Sequence, residues 1–146
     1  MKLFTIGFTK KTARDFFALL KNNRIKKVVD IRLNNASQLA GFSKGEDLKF
    51  FLNEFCNIQY VHDTDLAPNK KLLDDYKNKK ITWLQYEQYF NNLLDERDII
   101  SRLDQNFNKG FDGICLLCSE ATAAQCHRRL VAEYIKRSYF EIIRVP

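Results

Sequence analysis

The chain is poor in the residues that loosen or punctuate a fold: it has 2 Pro and 5 Gly in 146 positions, no Pro-rich or Gly/Ser-rich stretch, no internal repeat and no low-complexity tract. A linker between modules is thereby excluded, and a length inside the usual range of about 100–200 residues points to a single domain over 1–146. No window approaches the ~18 consecutive apolar residues of a membrane span, and the opening MKLFTIGF lacks a signal peptide's longer apolar stretch and small-residue cleavage site. A cytoplasmic protein without a membrane partner is expected. Cysteine is sparse as well. Its 4 residues, two of them in one apolar run, suit reduced thiols and exclude a secreted disulfide framework.

What is abundant is core material and positive charge. Hydrophobic residues make up 45% and aromatics 13%, with 12 Phe, enough to offset chain entropy in a packed interior. The formal charge of +6 favours anionic partners, a small molecule or nucleic acid. The lysine pairs Lys10-Lys11, Lys26-Lys27, Lys70-Lys71 and Lys79-Lys80 are scattered, a distribution that coats helix ends and does not line a groove. Sequence alone leaves the oligomeric state open.

Strand-like and helix-like segments alternate along the chain, the pattern of an α/β layer fold: a mostly parallel sheet of about five strands with helices on both faces. Strands are expected at Lys2–Ile6, Lys27–Ile31, Ile58–Val61, Ile114–Leu117 and Phe140–Val145. Thr12 caps a helix whose Phe16, Leu19 and Leu20 share a face, and Glu46–Phe55 forms a second. Arg32 to Gly45 reads as a long loop rich in Asn and Ser. Leu72, Leu73 and Tyr76, then Trp83, Tyr86, Tyr89, Phe90, Leu93 and Leu94, mark amphipathic helices whose aromatic stripe serves core packing. Helical period continues from Arg97 to Leu103 towards a stop at Asn108-Lys109-Gly110, and Thr122–Lys136 is the last helix.

Ligands of parallel sheets collect beyond the carboxyl ends of the strands. Those ends carry Gly7, Asp30-Ile31-Arg32, His62-Asp63 and Cys118-Ser119-Glu120. Cys115 and Cys118 resemble a zinc or redox pair, yet residues three apart on a strand point to opposite faces, so Cys115 reads as a small buried hydrophobe. Cys118, at a strand end before a helix N-terminus, suits a thiolate nucleophile. A phosphatase-like C-x5-R loop needs Arg at position 124, where the chain has Ala. Glu120 is placed to act as an acid or base, or to complement the positive helix end. On the expected helix Cys126, His127 and Arg128 diverge by about 100° each, which buries Cys126, His127 or both. Arg128 suits anion recognition and Arg129 belongs to solvent. A zinc site from Cys118, Cys126 and His127 lacks a fourth ligand, and neighbouring Cys and His on one helix splay apart, so no metal and no cofactor is expected. Asp30 and Arg32 project to the same side, either as an internal ion pair or as an Arg held ready for an anion.

Taken together, Thr5-Ile6-Gly7, Val29-Asp30-Ile31-Arg32, Phe42, Asn57-Ile58-Gln59-Tyr60, and Cys118-x-Glu120 followed by Cys126-His127-Arg128 resemble the family named DUF488, over nearly the whole chain. The chain departs from that pattern in lacking a Pro within Leu33–Ser37, in having Gln38 at a commonly basic position, Leu66-Ala67-Pro68 for Leu-Gly-Gly, and Phe8 for His or Tyr. The resemblance implies an α/β fold and a site at these residues, and its departures fall on the loop rim. The expected function is a small enzyme acting on an anionic, nucleotide or nucleic-acid-derived substrate. Cys118 is its nucleophile or sulfur carrier, Glu120 and His127 move protons, Arg32, Arg128, Cys126 and the Gly7 turn bind substrate, and Asp30 orients Arg32. The alternative is a non-catalytic nucleic-acid-binding or protein-interaction domain using the same basic edge; a third reading makes the constellation a structural network.

Overall fold

The computed structural model describes residues 2–36, 41–106, 112–119 and 126–144, without the side chains of 104–106 and 139–144. Glu120, Gln38 and the Asn108-Lys109-Gly110 stop lie outside the described residues.

Four strands, β1 (Leu3–Gly7), β2 (Lys27–Asp30), β3 (Gln59–His62) and β4 (Ile114–Cys118), form one sheet in the order β1-β4-β2-β3 with every pairing parallel. Six α-helices are described: α1 (Ala13–Asn22), α2 (Gly45–Cys56), α3 (Lys70–Lys77), α4 (Trp83–Glu96), α5 (Ile99–Asn106) and α6 (His127–Arg144). None is long and apolar enough to cross a membrane. β4 is buried along its whole length because it sits between β1 and β2 with both faces covered. Its side chains alternate between two cores. Cys115 and Leu117 pack with Phe16 and Leu20 of α1 and Leu48 and Leu52 of α2. Ile114 and Leu116 pack with Tyr86, Phe90 and Leu94 of α4 and Leu130, Val131, Tyr134 and Ile135 of α6.

The expected α/β sheet with helices on both faces is present, with two local corrections. Residues 140–144, read as a fifth strand, continue α6 as helix. No Gly or Pro separates them from Lys136, and a short apolar run cannot by its period alone be told from the next turn of a helix. The helical period after Arg97 is broken, not continuous: α4 ends at Glu96 and α5 begins at Ile99, with Asp98 in the left-handed region at φ 52. Arg97 causes the break to be useful. Its Nη1 donates to the carbonyls of Asp65 (2.7 Å) and Ala67 (2.5 Å), tying the helix end to the turn that follows β3.

The remaining ends follow their capping residues. Thr12 accepts from the Asp15 amide, Asn69 from Leu72, and Thr82 with Gln85 closes a reciprocal capping box at α4. Of the expected aromatic stripe, Tyr86 and Phe90 are interior and Trp83, partly buried, stacks on Tyr86, whereas Tyr89 is half exposed.

Candidate functional site

The parallel register puts the strand ends side by side. Gly7 lies opposite Cys118, and Asp30 opposite both Leu117 and His62. Strand alternation then sends Asp30 to the α1/α2 side of the sheet, with Val28, and Cys118 to the α6 side, with Leu116. Two clusters result, one on each side of a single edge.

On the α1/α2 side Arg32 holds Asp30 with two parallel hydrogen bonds, Nε to Oδ1 at 2.9 Å and Nη2 to Oδ2 at 2.7 Å, and its Nη2 also donates to the Ser43 carbonyl at 2.7 Å. The Arg32 amide adds a third contact to Asp30 Oδ1. Tyr60 donates its hydroxyl to Asp30 Oδ2 at 2.5 Å and accepts from Asn35 Nδ2 at 3.1 Å. The guanidinium lies over the Phe8 ring, 5.1 Å from its centroid. Asp30 is 0% and Arg32 3% exposed. Burial alone would lower the Arg32 pKa, but the bonds and charge of Asp30 outweigh it and hold the guanidinium above its ordinary value. Burial and the bond to Asp30 push the Tyr60 phenol up, so it stays a donor. Nη1 of Arg32, although buried, has no hydrogen-bond partner among the described residues.

On the α6 side Cys118, Cys126 and His127 are all buried, and their donor atoms lie within 4.8 Å of one another. His127 Nε2 is 2.7 Å from the Ile31 carbonyl, which can only accept, so the ring proton sits on Nε2 and Nδ1 keeps its lone pair. Cys118 Sγ is 3.6 Å from Nδ1 and 3.7 Å from Nε2. Phe90 meets the imidazole edge-on at 6.0 Å and fixes its plane from α4. Burial pushes the His127 pKa down to about 4, with Arg128 acting in the same direction, so the ring is neutral.

The expectation that Cys126 and His127 splay apart fails for a definable reason. α6 begins at His127, so Cys126 stands just outside it, where the helical 100° step does not apply; its carbonyl accepts the first-turn bond from the Arg129 amide at 3.1 Å. Both residues turn inward, where the sequence required only one. Cys115 and Cys118 do face opposite sides, and burial pushes the Cys115 thiol up to about 12. Arg128 is buried away from this trio; with Thr5, Gly7 and Lys11 it lines a cleft of about 180 Å³ at the β1 edge. Arg129, half-exposed, pairs with Glu87 at 2.6 Å and Glu133 at 3.1 Å. Of the expected site residues, Gly7, Asp30, Arg32, Cys118, Cys126 and His127 therefore gather along one edge, Arg128 flanks it, and Glu120 falls outside the described residues.

A scan of family models matches residues 12–135 to the domain of unknown function DUF488. The chain belongs to the DUF488 family. No curated protein and no solved structure matches it. In this DUF488 chain the edge also recruits residues that the sequence reading did not select. His62 Nε2 donates to the Arg32 carbonyl at 2.7 Å, and Tyr60 and Ser43 complete the Asp30–Arg32 group. His62 was marked by its place at a strand end and Tyr60 by its place in the family pattern. Ser43 meets Arg32 through its backbone carbonyl, a contact that leaves no trace in residue type.

Proposed function

We propose that this DUF488 protein is a thiol enzyme acting on a small anionic substrate at the carboxyl edge of its sheet. The observation that carries the reading is the Cys118–His127 pair: Nε2 of the imidazole is committed to the Ile31 carbonyl, and Cys118 Sγ lies against the ring, 3.6 Å from Nδ1 and 3.7 Å from Nε2, so that Nδ1 is the nitrogen left to take its proton. In the reaction His127 Nδ1 takes the Cys118 proton as Sγ attacks. The sulfur electron pair forms the new bond to the electrophilic atom, and the leaving group departs with its own pair and takes the proton back from His127. Ile31 holds the ring through this cycle, in the part an orienting carboxylate plays elsewhere.

Arg32 supplies the anion contact. Asp30, Tyr60 and the Ser43 carbonyl fix its plane, and the donors on Nη1 remain for a carboxylate or phosphate oxygen. Arg128 and the Gly7 strand end offer a second, flanking contact. Nucleotide or nucleic-acid-derived substrates fit this requirement for an anion.

Alkylation with anionic iodoacetate against neutral iodoacetamide tests the pairing of thiol and anion contact in the reduced protein. Cys118 is expected to show a higher iodoacetate-to-iodoacetamide rate ratio folded than unfolded, an excess that inorganic phosphate suppresses and Arg32→Lys diminishes. Equal ratios in the folded and unfolded chain refute the anion contact.

A further inference from the structure

Three soft or borderline donors converging in a buried space satisfy more than the needs of a dyad. Cys126 has no place in the proton transfer between Cys118 and His127, yet it is turned inward with them, and all three donor atoms lie within 4.8 Å of one another. We propose that Cys118, Cys126 and His127 form a binding site for one thiophilic divalent metal ion, with zinc the ion that this donor set favours.

Ligand geometry supports the assignment. Bond lengths near 2.3 Å to sulfur and 2.0–2.1 Å to nitrogen place tetrahedral donors about 3.6 Å apart for an S–N pair and about 3.8 Å apart for an S–S pair. Cys118 Sγ and His127 Nδ1 are already at 3.6 Å. The other separations, none above 4.8 Å, need to shorten by no more than about 1 Å, within reach of cysteine rotation. The second shell is also in place. A ligating imidazole normally donates its other ring N–H to a carboxylate or backbone carbonyl, and His127 Nε2 does so to Ile31 at 2.7 Å, so Nδ1 is the ligand atom. Two thiolates and one imidazole leave one tetrahedral position for a ligand from outside the trio.

The site coincides with the thiol centre proposed above, and metal occupancy opposes that chemistry: with Sγ and Nδ1 both bound to the ion, donation to the metal lowers the nucleophilicity of the Cys118 sulfur and the imidazole no longer serves as its base. Binding releases the two thiol protons, so each ion taken up liberates protons to the buffer.

Cobalt(II), titrated anaerobically into reduced, chelator-stripped protein, reports thiolate ligation directly through its sulfur-to-metal charge-transfer absorption and tetrahedral visible bands. One cobalt per chain is expected, displaced by one zinc, and zinc is expected to protect Cys118 from alkylation. Cys126→Ser, nearly isosteric and checked for folding by circular dichroism, should weaken binding by more than about 100-fold, beyond the loss typical of removing a second-shell partner. His127→Ala should remove the tetrahedral bands. Absence of the charge-transfer band, or its persistence at full strength in Cys126→Ser, overturns the metal site and leaves the thiol reading untouched. A Cys118 that is inert in stripped protein, alongside normal cobalt binding, overturns the thiol reading alone.

Discussion

At the residue scale the chemistry of the edge depends on buried side chains whose charges and protons are set by their neighbours. Asp30 and Arg32 neutralise one another in the interior, and breaking a buried pair costs more than the pair itself is worth, because the survivor is left charged in a low-dielectric interior. Asp30→Ala is therefore expected to destabilise the fold by about 3–5 kcal/mol, read as a lower urea midpoint at unchanged slope. Tyr60→Phe removes one neutral-to-charged hydrogen bond and should cost less, about 1.5–3 kcal/mol in the same assay. Cys115 behaves oppositely to a reactive thiol. Burial holds it protonated up to about pH 12, so native protein treated with iodoacetamide at pH 8.5 should show no Cys115 adduct by peptide mass spectrometry, whereas the unfolded chain should.

At the scale of elements, the sequence was most informative where a cap or a period stood alone and least where two signals overlapped. Thr12 marks the start of α1 and does accept from the Asp15 amide, while α4, placed by its apolar period alone, is also closed by the reciprocal bonds of Thr82 and Gln85. Thr82→Ala should lower stability by about 1 kcal/mol without altering the Cys118–His127 pair, a shift that thermal melting would resolve. The start of α6 shows the opposite case. The run from Thr122 reads as helix, which placed Cys126 within a regular turn and its thiol about 100° from the His127 ring. With His127 as the first helical residue, Cys126 gains the non-helical backbone that turns its sulfur inward, a freedom no helical pattern encodes. The expected strand Phe140–Val145 failed, over its described residues 140–144, for a related reason: its apolar residues suit a strand and a helical turn equally, and only the continuation of α6 decides.

At the scale of the molecule, the parallel α/β plan was legible because β4 is apolar throughout and the amphipathic helices carry a clear face, while strand order was not, since pairing β1 with β4 is a property of tertiary packing. The order matters for function. Inserting β4 between β1 and β2 places Cys118 beside Gly7 and next to the Asp30 strand end, which no reading of neighbours along the chain supplies. Of the lysine pairs, Lys10-Lys11 follows Gly7 and Lys26-Lys27 precedes Asp30 closely, whereas Lys70-Lys71 and Lys79-Lys80 are remote from this edge in sequence. If the edge is a pocket for a small anion, neutralising Lys70, Lys71, Lys79 and Lys80 together should leave phosphate protection of Cys118 unchanged, whereas a nucleic-acid surface would lose affinity and salt dependence with each charge removed.

The function proposed for this edge requires Cys118 and His127 to act as one unit. The direct measurement is the alkylation rate of Cys118 in reduced, metal-free protein, with Cys115 as the inert reference in the same molecule, compared between the native chain and a folded His127→Ala variant. Base assistance predicts that Cys118 reacts while Cys115 does not, and that losing the imidazole slows Cys118 by about 100-fold or more. A Cys118 as inert as Cys115, or one indifferent to His127, contradicts it.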